Sequence, residues 1–504
     1  MKRHLTFLLV LLCAFVSAQN INDVLRYGTE NIQGTARFQS MGGAFGALGG
    51  DLSALNVNPA GAAVFNNTLV TFSGTFFNID NQVNYFGTQT NSNINDTSIN
   101  QVGGVFVFNN TNSNSDWKKF SLAFNYDLAQ SFENSYLVNG RSNQGVDNYF
   151  LDFAEGTPLG SIELLEGELI ENAYLDIGSN QGFGDQQAFL GFQSGIIDPV
   201  DFEDPTTSEY IRNANYSDVN QQLQRSSIGY NSKFTANIAS EYKDKLYLGA
   251  SLNFHSIFNE RIDRLTETGY DANSPIQRTT FDNLLVTQGN GFSLTLGAIA
   301  KLNEFVRVGG SYQSPTWYRL NDDLSQRINS DFADANADIN FIDFNIVNLF
   351  ETYTIQTPSK LTGSMALIFG KNGLLSFDYG YQDFSNAELR PQSDPSFQTV
   401  NNDISNQLGA VSSIRLGGEY RIAQVSLRGG YRFEQSPYVN TDTIGDLNSI
   451  SAGIGYNFGG NRLDFALNRI DQQVNEQLLD TGLITPATIN RIRTNATLSY
   501  TINF

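Results

Sequence analysis

Few residues in this 504-residue chain could carry bond-making chemistry. It has one cysteine, Cys13, and two histidines, His4 and His255. Cys13 and His4 fall in residues 1–18, which read as a signal peptide. Met1-Lys2-Arg3-His4 is basic, Leu5 to Phe15 is apolar, and Val16-Ser17-Ala18 offers small residues for cleavage before Gln19. His255 is then the single histidine, and with no thiol beside it the chain is poorly equipped for a zinc or haem site. It follows an apolar line of Leu246, Leu248, Ala250, Leu252 and Phe254, so on a strand it faces the other way with Ser251 and Asn253. No GxSxG run supplies a nucleophile elbow. His255 therefore reads as polar lining, and no enzyme and no cofactor are expected. Asp334, Asn336 and Asp338 alternate oxygen ligands like the start of a calcium loop, but the glycine and distal glutamate of an EF-hand are missing. A solvated acidic loop without metal is the expectation.

The residues best placed to bind or gate belong to Gly34–Phe65, reading GTARFQSMGGAFGALGGDLSALNVNPAGAAVF. Seven of its residues are glycine, alanine is frequent, and strand alternation is absent, which suits a tight plug packed inside something. Asp51 can start a short helix through Leu55, which Asn56, Asn58 and Pro59 must end. Asn58, Pro59 and Ala60 are thus expected to hand the chain from plug to wall and to shape its gate. Phe45, Leu48, Leu52 and Leu55 either line a ligand pocket or form the plug's own small core, the second being expected more often. Arg37 can meet a carboxylate head group or an acidic residue of the wall, and for an isolated arginine in an acidic chain the wall pairing is expected.

The elements that must hold this plug are strands. Charged residues make up 16% of the chain, well below the ~25% usual for soluble domains, while Phe and Tyr together number 60 and Gly 45. That profile fits a transmembrane β-barrel with aromatic girdles. Without residues 1–18 the chain carries 28 Lys+Arg against 51 Asp+Glu, which argues against nucleic acid as a partner. Period-two segments begin at Leu69 to Phe77, continue through Val105–Phe108 and Phe120–Leu128, and then recur at about 226–242, 246–258, 286–302, 305–318, 352–369, 374–385, 412–422, 425–434, 449–458, 462–470 and 491–504. Short links (243–245, 303–304, 370–373, 423–424, 459–461) alternate with long ones, as an outer-membrane barrel requires. The count is fourteen antiparallel strands, with both chain ends on the periplasmic side.

Two places depart from the pattern. Gln130 and Asn134 interrupt the apolar parity of the third strand, marking either a bend with a lateral opening or simply the strand's end near Ala129. Residues 140–224 do not alternate. Ile162, Leu165, Leu169 and Ala173 recur there at helical spacing beside Glu163, Glu166, Glu168 and Glu171, so a long external loop with short amphipathic helices is expected. The final strand alternates up to the terminal Phe504, similar to the signal by which barrel-assembly machinery recognises its clients.

On these residues the chain resembles the FadL family of outer-membrane transporters for long-chain fatty acids and other hydrophobic compounds, in a form common in Bacteroidetes. The resemblance is carried by Arg37-Phe38 with Met41-Gly42-Gly43-Ala44-Phe45, Leu48-Gly49-Gly50-Asp51 and Asn58-Pro59-Ala60-Gly61. Gly309-Gly310-Ser311-Tyr312, Arg415 to Tyr420, Leu427 to Tyr431 with Ser436-Pro437, and Gly453 to Tyr456 extend it. It implies a fourteen-stranded barrel (67–504) closed by an N-terminal hatch (19–66), with ligand captured by external loops, held in a pocket touching the hatch and released sideways beside an inward kink of the third strand. The implied partners are a fatty-acid-like molecule, outer-membrane lipid and the assembly machinery. The same fold serving as an accessory subunit among other outer-membrane proteins of a secretion or assembly complex is the alternative.

Overall fold

The computed structural model describes residues 20–504 except 30, 113, 333–340 and 344–345. The signal-peptide reading of residues 1–18 and the calcium-loop reading of Asp334, Asn336 and Asp338 lie outside the described residues.

Fourteen antiparallel strands close into a cylinder, as expected from the alternation. They are β1 (Leu69–Tyr85), β2 (Thr88–Asn109), β3 in two parts (Trp117–Ser131 and Asn134–Ser142), β4 (Val219–Tyr242), β5 (Leu246–Thr268) and β6 (Ile276–Lys301). Then come β7 (Val306–Gln313 and Trp317–Phe332), β8 (Tyr353–Gln356 and Lys360–Phe369), β9 (Gly373–Asp383) and β10 (Ala410–Ile422). β11 (Val425–Glu434), β12 (Leu447–Asn457), β13 (Asn461–Glu476) and β14 (Ala487–Asn503) complete the wall. The seam that closes it pairs β1 with β14 from Leu69↔Asn503 to Asn84↔Thr488. Closure pairs the first strand with the last, so the backbone's polar groups can be paired within the sheet inside a hydrocarbon layer, except along part of the β2–β3 boundary. Side chains alternate accordingly: on β5, Leu248, Leu252 and Phe254 are exposed on the outer face, while Ser251, Asn253 and His255 are buried toward the bore.

At the long-loop end the strands run further than apolar alternation predicts. β4 begins at Val219 rather than 226, β5 reaches Thr268 rather than 258, and β6 begins at Ile276 rather than 286. Pairing persists there through Glu260, Arg261, Asp263 and Arg264. Beyond the lipid both faces meet water or loops, so the ladder continues while the two-faced pattern fades. The segment between β3 and β4 folds into helices α3 (Asp147–Ala154), α4 (Ile170–Asn180) and α5 (Phe183–Gln193) with a small ribbon (Ile197–Pro199, Tyr210–Arg212). Tyr149, Phe150, Ile177 and Phe189 pack on Tyr85, Phe281, Ile328 and Ile489 of the wall. The expected stripe is only half realised. Ile162 and Ala173 are buried, whereas Leu165 and Leu169 are exposed, because Gly167 at φ +80° separates the turn around Ile162 from α4.

Inside the bore lies the N-terminal segment. α1 (Ile21–Gly28) starts with a capping box between Asn20 and Asp23, and α2 (Ala36–Ser40) is capped by Thr35. Asp51 caps a 3-10 turn, Leu52–Asn56, as the sequence suggests. Asn58 then caps a second one, Pro59–Val64, with Pro59 at the first position, where no donor is required. Asn58-Pro59-Ala60 is therefore not the exit from plug to wall; the wall starts only at Leu69.

Candidate functional site

The N-terminal segment is held from several sides of the bore. The Asn58 amide donates to the carbonyls of Gly46 (2.7 Å) and Ala298 (3.0 Å), and its Oδ1 accepts from the Ala60 N–H (3.1 Å). The wall makes room by having no side chain there: a Cβ on Gly297 would lie 2.0 Å from Asn58 Oδ1. Asn237 donates to the Pro59 carbonyl at 3.1 Å. Further round the wall, Asp378 of β9 accepts from the backbone of Phe45 (2.9 Å) and Gly46 (3.0 Å). Arg37 meets the wall. Its Nε donates to Glu419 at 3.0 Å, and its guanidinium also donates to the Gly50 carbonyl and stacks 5.2 Å from the Phe45 ring. Glu419 also accepts from Arg428 (2.6 Å), which in turn donates to Asp464 (2.7 Å), forming a buried chain of alternating charge. Such a chain is stable only because every member is paired.

Phe45, Leu48, Leu52 and Leu55 are all buried within the segment and against the wall. None of them lines the main cavity. That cavity, of about 620 Å³, lies beyond the plug's glycine-rich body, between α1, the break in β3 and the long-loop ends of β11 to β14. Leu25, Ile79, Phe132 and Val474 give it apolar surface, and Arg26, Arg225, Arg432, Arg491 and Arg493 give it charge. It is amphipathic rather than greasy throughout. Burial pushes the carboxyl of Asp23, on α1, above its usual value, with Arg26 opposing.

The break in β3 borders this cavity. A register shift at Leu128/Gln130 inserts one residue and reverses the facing of the strand beyond it. Parity puts Gln130 on the lipid-facing line; instead its amide, with nitrogen toward α1, donates to the carbonyls of Arg26 (2.8 Å) and Thr29 (2.9 Å). Asn134 accepts from Asn81 of β1 at 2.8 Å. Both residues line the cavity. The β2–β3 ladder joins only Gln101–Asn109 to Lys119–Asp127. Among the described residues no ladder links the rest of β2 to Asn134–Ser142. Side chains bridge the seam there, as when Leu137 N donates to Ser92 Oγ (3.3 Å) and the Thr90 hydroxyl donates to the Leu137 carbonyl, while Asn81 of β1 donates to the Ser135 carbonyl (3.1 Å). The wall thus carries a side-chain-bridged seam next to an internal cavity.

His255 faces the bore as expected, its Nδ1 3.0 Å from Asn231 Oδ1 and 3.2 Å from the Tyr318 hydroxyl. The arginines of the last strand do not stand out in the sequence, although Arg491 and Arg493 share the inward parity of Asn495 and Thr497 and are legible to that extent.

The family described as outer membrane protein transport protein (OMPP1/FadL/TodX) matches residues 207–498. The chain belongs to this family. Among solved structures, this FadL/TodX-family barrel is similar to a Pseudomonas aeruginosa FadL homologue, with 12% identity, 95% of this chain and 100% of that one covered and a TM-score of 0.52. A TodX monoaromatic hydrocarbon channel carrying a deltaS2 mutation gives 13% identity, 94% and 99% coverage and a TM-score of 0.50. The Pseudomonas putida toluene transporter TodX gives 13%, 95% and 100%, and 0.49. These identities speak to fold alone. A comparison with curated proteins finds no match. The FadL/TodX-family barrel is a non-enzymatic channel of the bacterial outer membrane for hydrophobic compounds.

Proposed function

We propose that the barrel takes up long-chain fatty acids or comparable hydrophobic molecules passively, with residues 19–66 as a gating hatch shaped by Asn58, Pro59 and Ala60, and with lateral exit at the β2–β3 seam. Residues 1–18 act as the signal peptide, and Phe504 presents the chain to the assembly machinery. The resemblance to the form common in Bacteroidetes is supported by the same motifs, from Arg37-Phe38 in the plug to Gly453–Tyr456 in the wall. The observation that carries the reading is the unladdered stretch of wall beside the cavity, bordered by Gln130 and Asn134. A fatty chain gains ~0.8 kcal/mol per methylene on leaving water, so a partly apolar cavity can extract it, and a sideways route delivers it into lipid. In this reading Arg37, Phe45, Leu48, Leu52 and Leu55 serve the hatch's packing, and the cavity residues meet the cargo.

Pinning the seam tests this. Ser92→Cys with Leu137→Cys, oxidised and verified by mass spectrometry, should stop uptake of labelled oleate by cells, and reduction should restore it. Uptake that continues through a formed disulfide refutes lateral exit. The accessory-subunit reading draws on an apolar depression of about 440 Å³ on the lipid-facing flank at Leu375, Gly418, Gly429 and Tyr431. Stoichiometric co-purification of another outer-membrane protein, together with no uptake, would favour it.

A further inference from the structure

One guanidinium in the cavity stands apart from the others. Arg26, Arg225, Arg261, Arg432 and Arg491 each have a carboxylate oxygen at 3.8 Å or closer. Arg493 has none. It is 8% exposed, its Nε donates to Asn495 Oδ1 at 3.1 Å, and its Nη2 is buried without a hydrogen-bond partner among the described residues. The Phe77 ring lies 4.6 Å from its Cζ, a contact that offsets only part of the desolvation of a cation. Two charges act on it, Arg491 unfavourably and Glu133 favourably, and Glu133 is itself held by the Gly229 N–H at 3.3 Å. Among the described residues Arg491 has one carboxylate, Glu476 at 3.8 Å, which already receives Arg225 at 2.9 Å, and its Nε donates to Asn81 Oδ1 at 3.4 Å. A buried guanidinium without a carboxylate, beside a second arginine that is itself 30% exposed and weakly paired, is costly by itself and becomes favourable once an anion arrives.

The surroundings fit an anion carrying an apolar body. Arg493 pairs in the ladder with Ile79 on one side and Ile470 on the other, and both line the same cavity, along with Leu25, Phe132 and Val474. The volume lies within the ~300–1,000 Å³ of small-molecule sites. Glu133 and Asn134, at the break in β3, line it too. Building on the transport reading above, we propose that Arg493, with Arg491 beside it, is the head-group site of this barrel: it binds the oxyanion of an amphiphile and makes the cavity select acids over neutral hydrocarbons of equal chain length. The recognised chemistry is the oxyanion, whether carboxylate or sulfate ester. A neutral hydrocarbon would leave the guanidinium as unpaired as before and so gains nothing from it.

The test uses the full chain in lipid nanodiscs, with equilibrium dialysis of labelled dodecanoate and 1-dodecanol corrected against empty nanodiscs. The wild-type chain should bind dodecanoate about tenfold more tightly than dodecanol, the worth of one charge-assisted pair. Arg493→Gln should remove that advantage and leave dodecanol binding unchanged, and Arg493→Lys should restore most of it. Dodecyl sulfate should displace dodecanoate. Equal binding of acid and alcohol by the wild-type chain overturns the proposal without any variant. So does an Arg493→Gln variant, shown folded by heat-modifiable gel mobility, that weakens both ligands alike, or a failure of dodecyl sulfate to compete. If the wild-type chain binds neither ligand, the transport reading itself falls and takes this one with it.

Discussion

Asn58 is the side chain through which the plug's docking can be weakened with least disturbance to the barrel. Replacing it by alanine removes the bonds to the Gly46 and Ala298 carbonyls and the cap on the Ala60 N–H. The first two are worth about 1 kcal/mol each, and an N-cap typically about 1 kcal/mol. The more distant contact to the Gly310 carbonyl, at 3.4 Å, adds little. The expected loss is about 3 kcal/mol, which raises the undocked population of the plug on the order of a hundredfold. All three bonds involve the plug or its seat, and the ladder that closes the wall uses none of them. Hydrogen exchange read by mass spectrometry should therefore show faster exchange, on the order of a hundredfold, in peptides from 44–62, while β4 to β6 keep their protection. Unchanged exchange in 44–62 would refute the idea that Asn58 holds the plug. A uniform loss across the barrel would show that Asn58 supports the wall instead.

Gly297→Ala should displace the plug by the opposite means, since the new methyl would sit 2.0 Å from Asn58 Oδ1; a cost of about 1–3 kcal/mol and protease sensitivity confined to the N-terminal segment are expected. Glu419→Ala strands Arg37 without a carboxylate and leaves Arg428 only Asp464, and should cost about 3–5 kcal/mol, seen as a lower temperature for loss of heat-modifiable mobility. Acid should not loosen the layer of residues 143–218. Burial raises the carboxyls of Asp147, Asp185 and Asp198 above their usual values, so the folded layer binds protons more tightly than the unfolded chain. Their contribution is complete below the unfolded value and is lost as pH rises through the folded ones, so exchange corrected for intrinsic rate should be slower at pH 5 than at pH 8. Faster corrected exchange at pH 5 would contradict that sign.

The strand count, the facing of residues such as Phe254 and His255, and the tight turns at the end opposite the long loops are set by local chemistry, whereas β1 and β2 run on to meet in a two-residue turn at Phe86-Gly87 where a polar loop at about 80–98 is the expectation from sequence. A side chain in the wall meets either lipid or the filled bore, and that choice is written residue by residue as period-two alternation. For the same reason the pattern is silent where neither face meets lipid, and β4, β5 and β6 run on for seven to ten residues unannounced. Asp51 and Asn58 are readable as caps because capping is local, but not where the Asn58 amide lands, since Ala298 lies 240 residues away.

The third strand shows the limit most sharply. Gln130 and Asn134 stand out by breaking parity, yet a single inserted residue decides which way a side chain points, and nothing local fixes it. Only the packed barrel turns Gln130 onto the carbonyls at the end of α1. Sequence alone determined an inward-facing Arg493 on a terminal strand; the tertiary structure alone left it without a carboxylate. Pairing depends on which distant acids the folded chain has already committed elsewhere, and a cavity is the space those commitments leave between elements far apart along the chain.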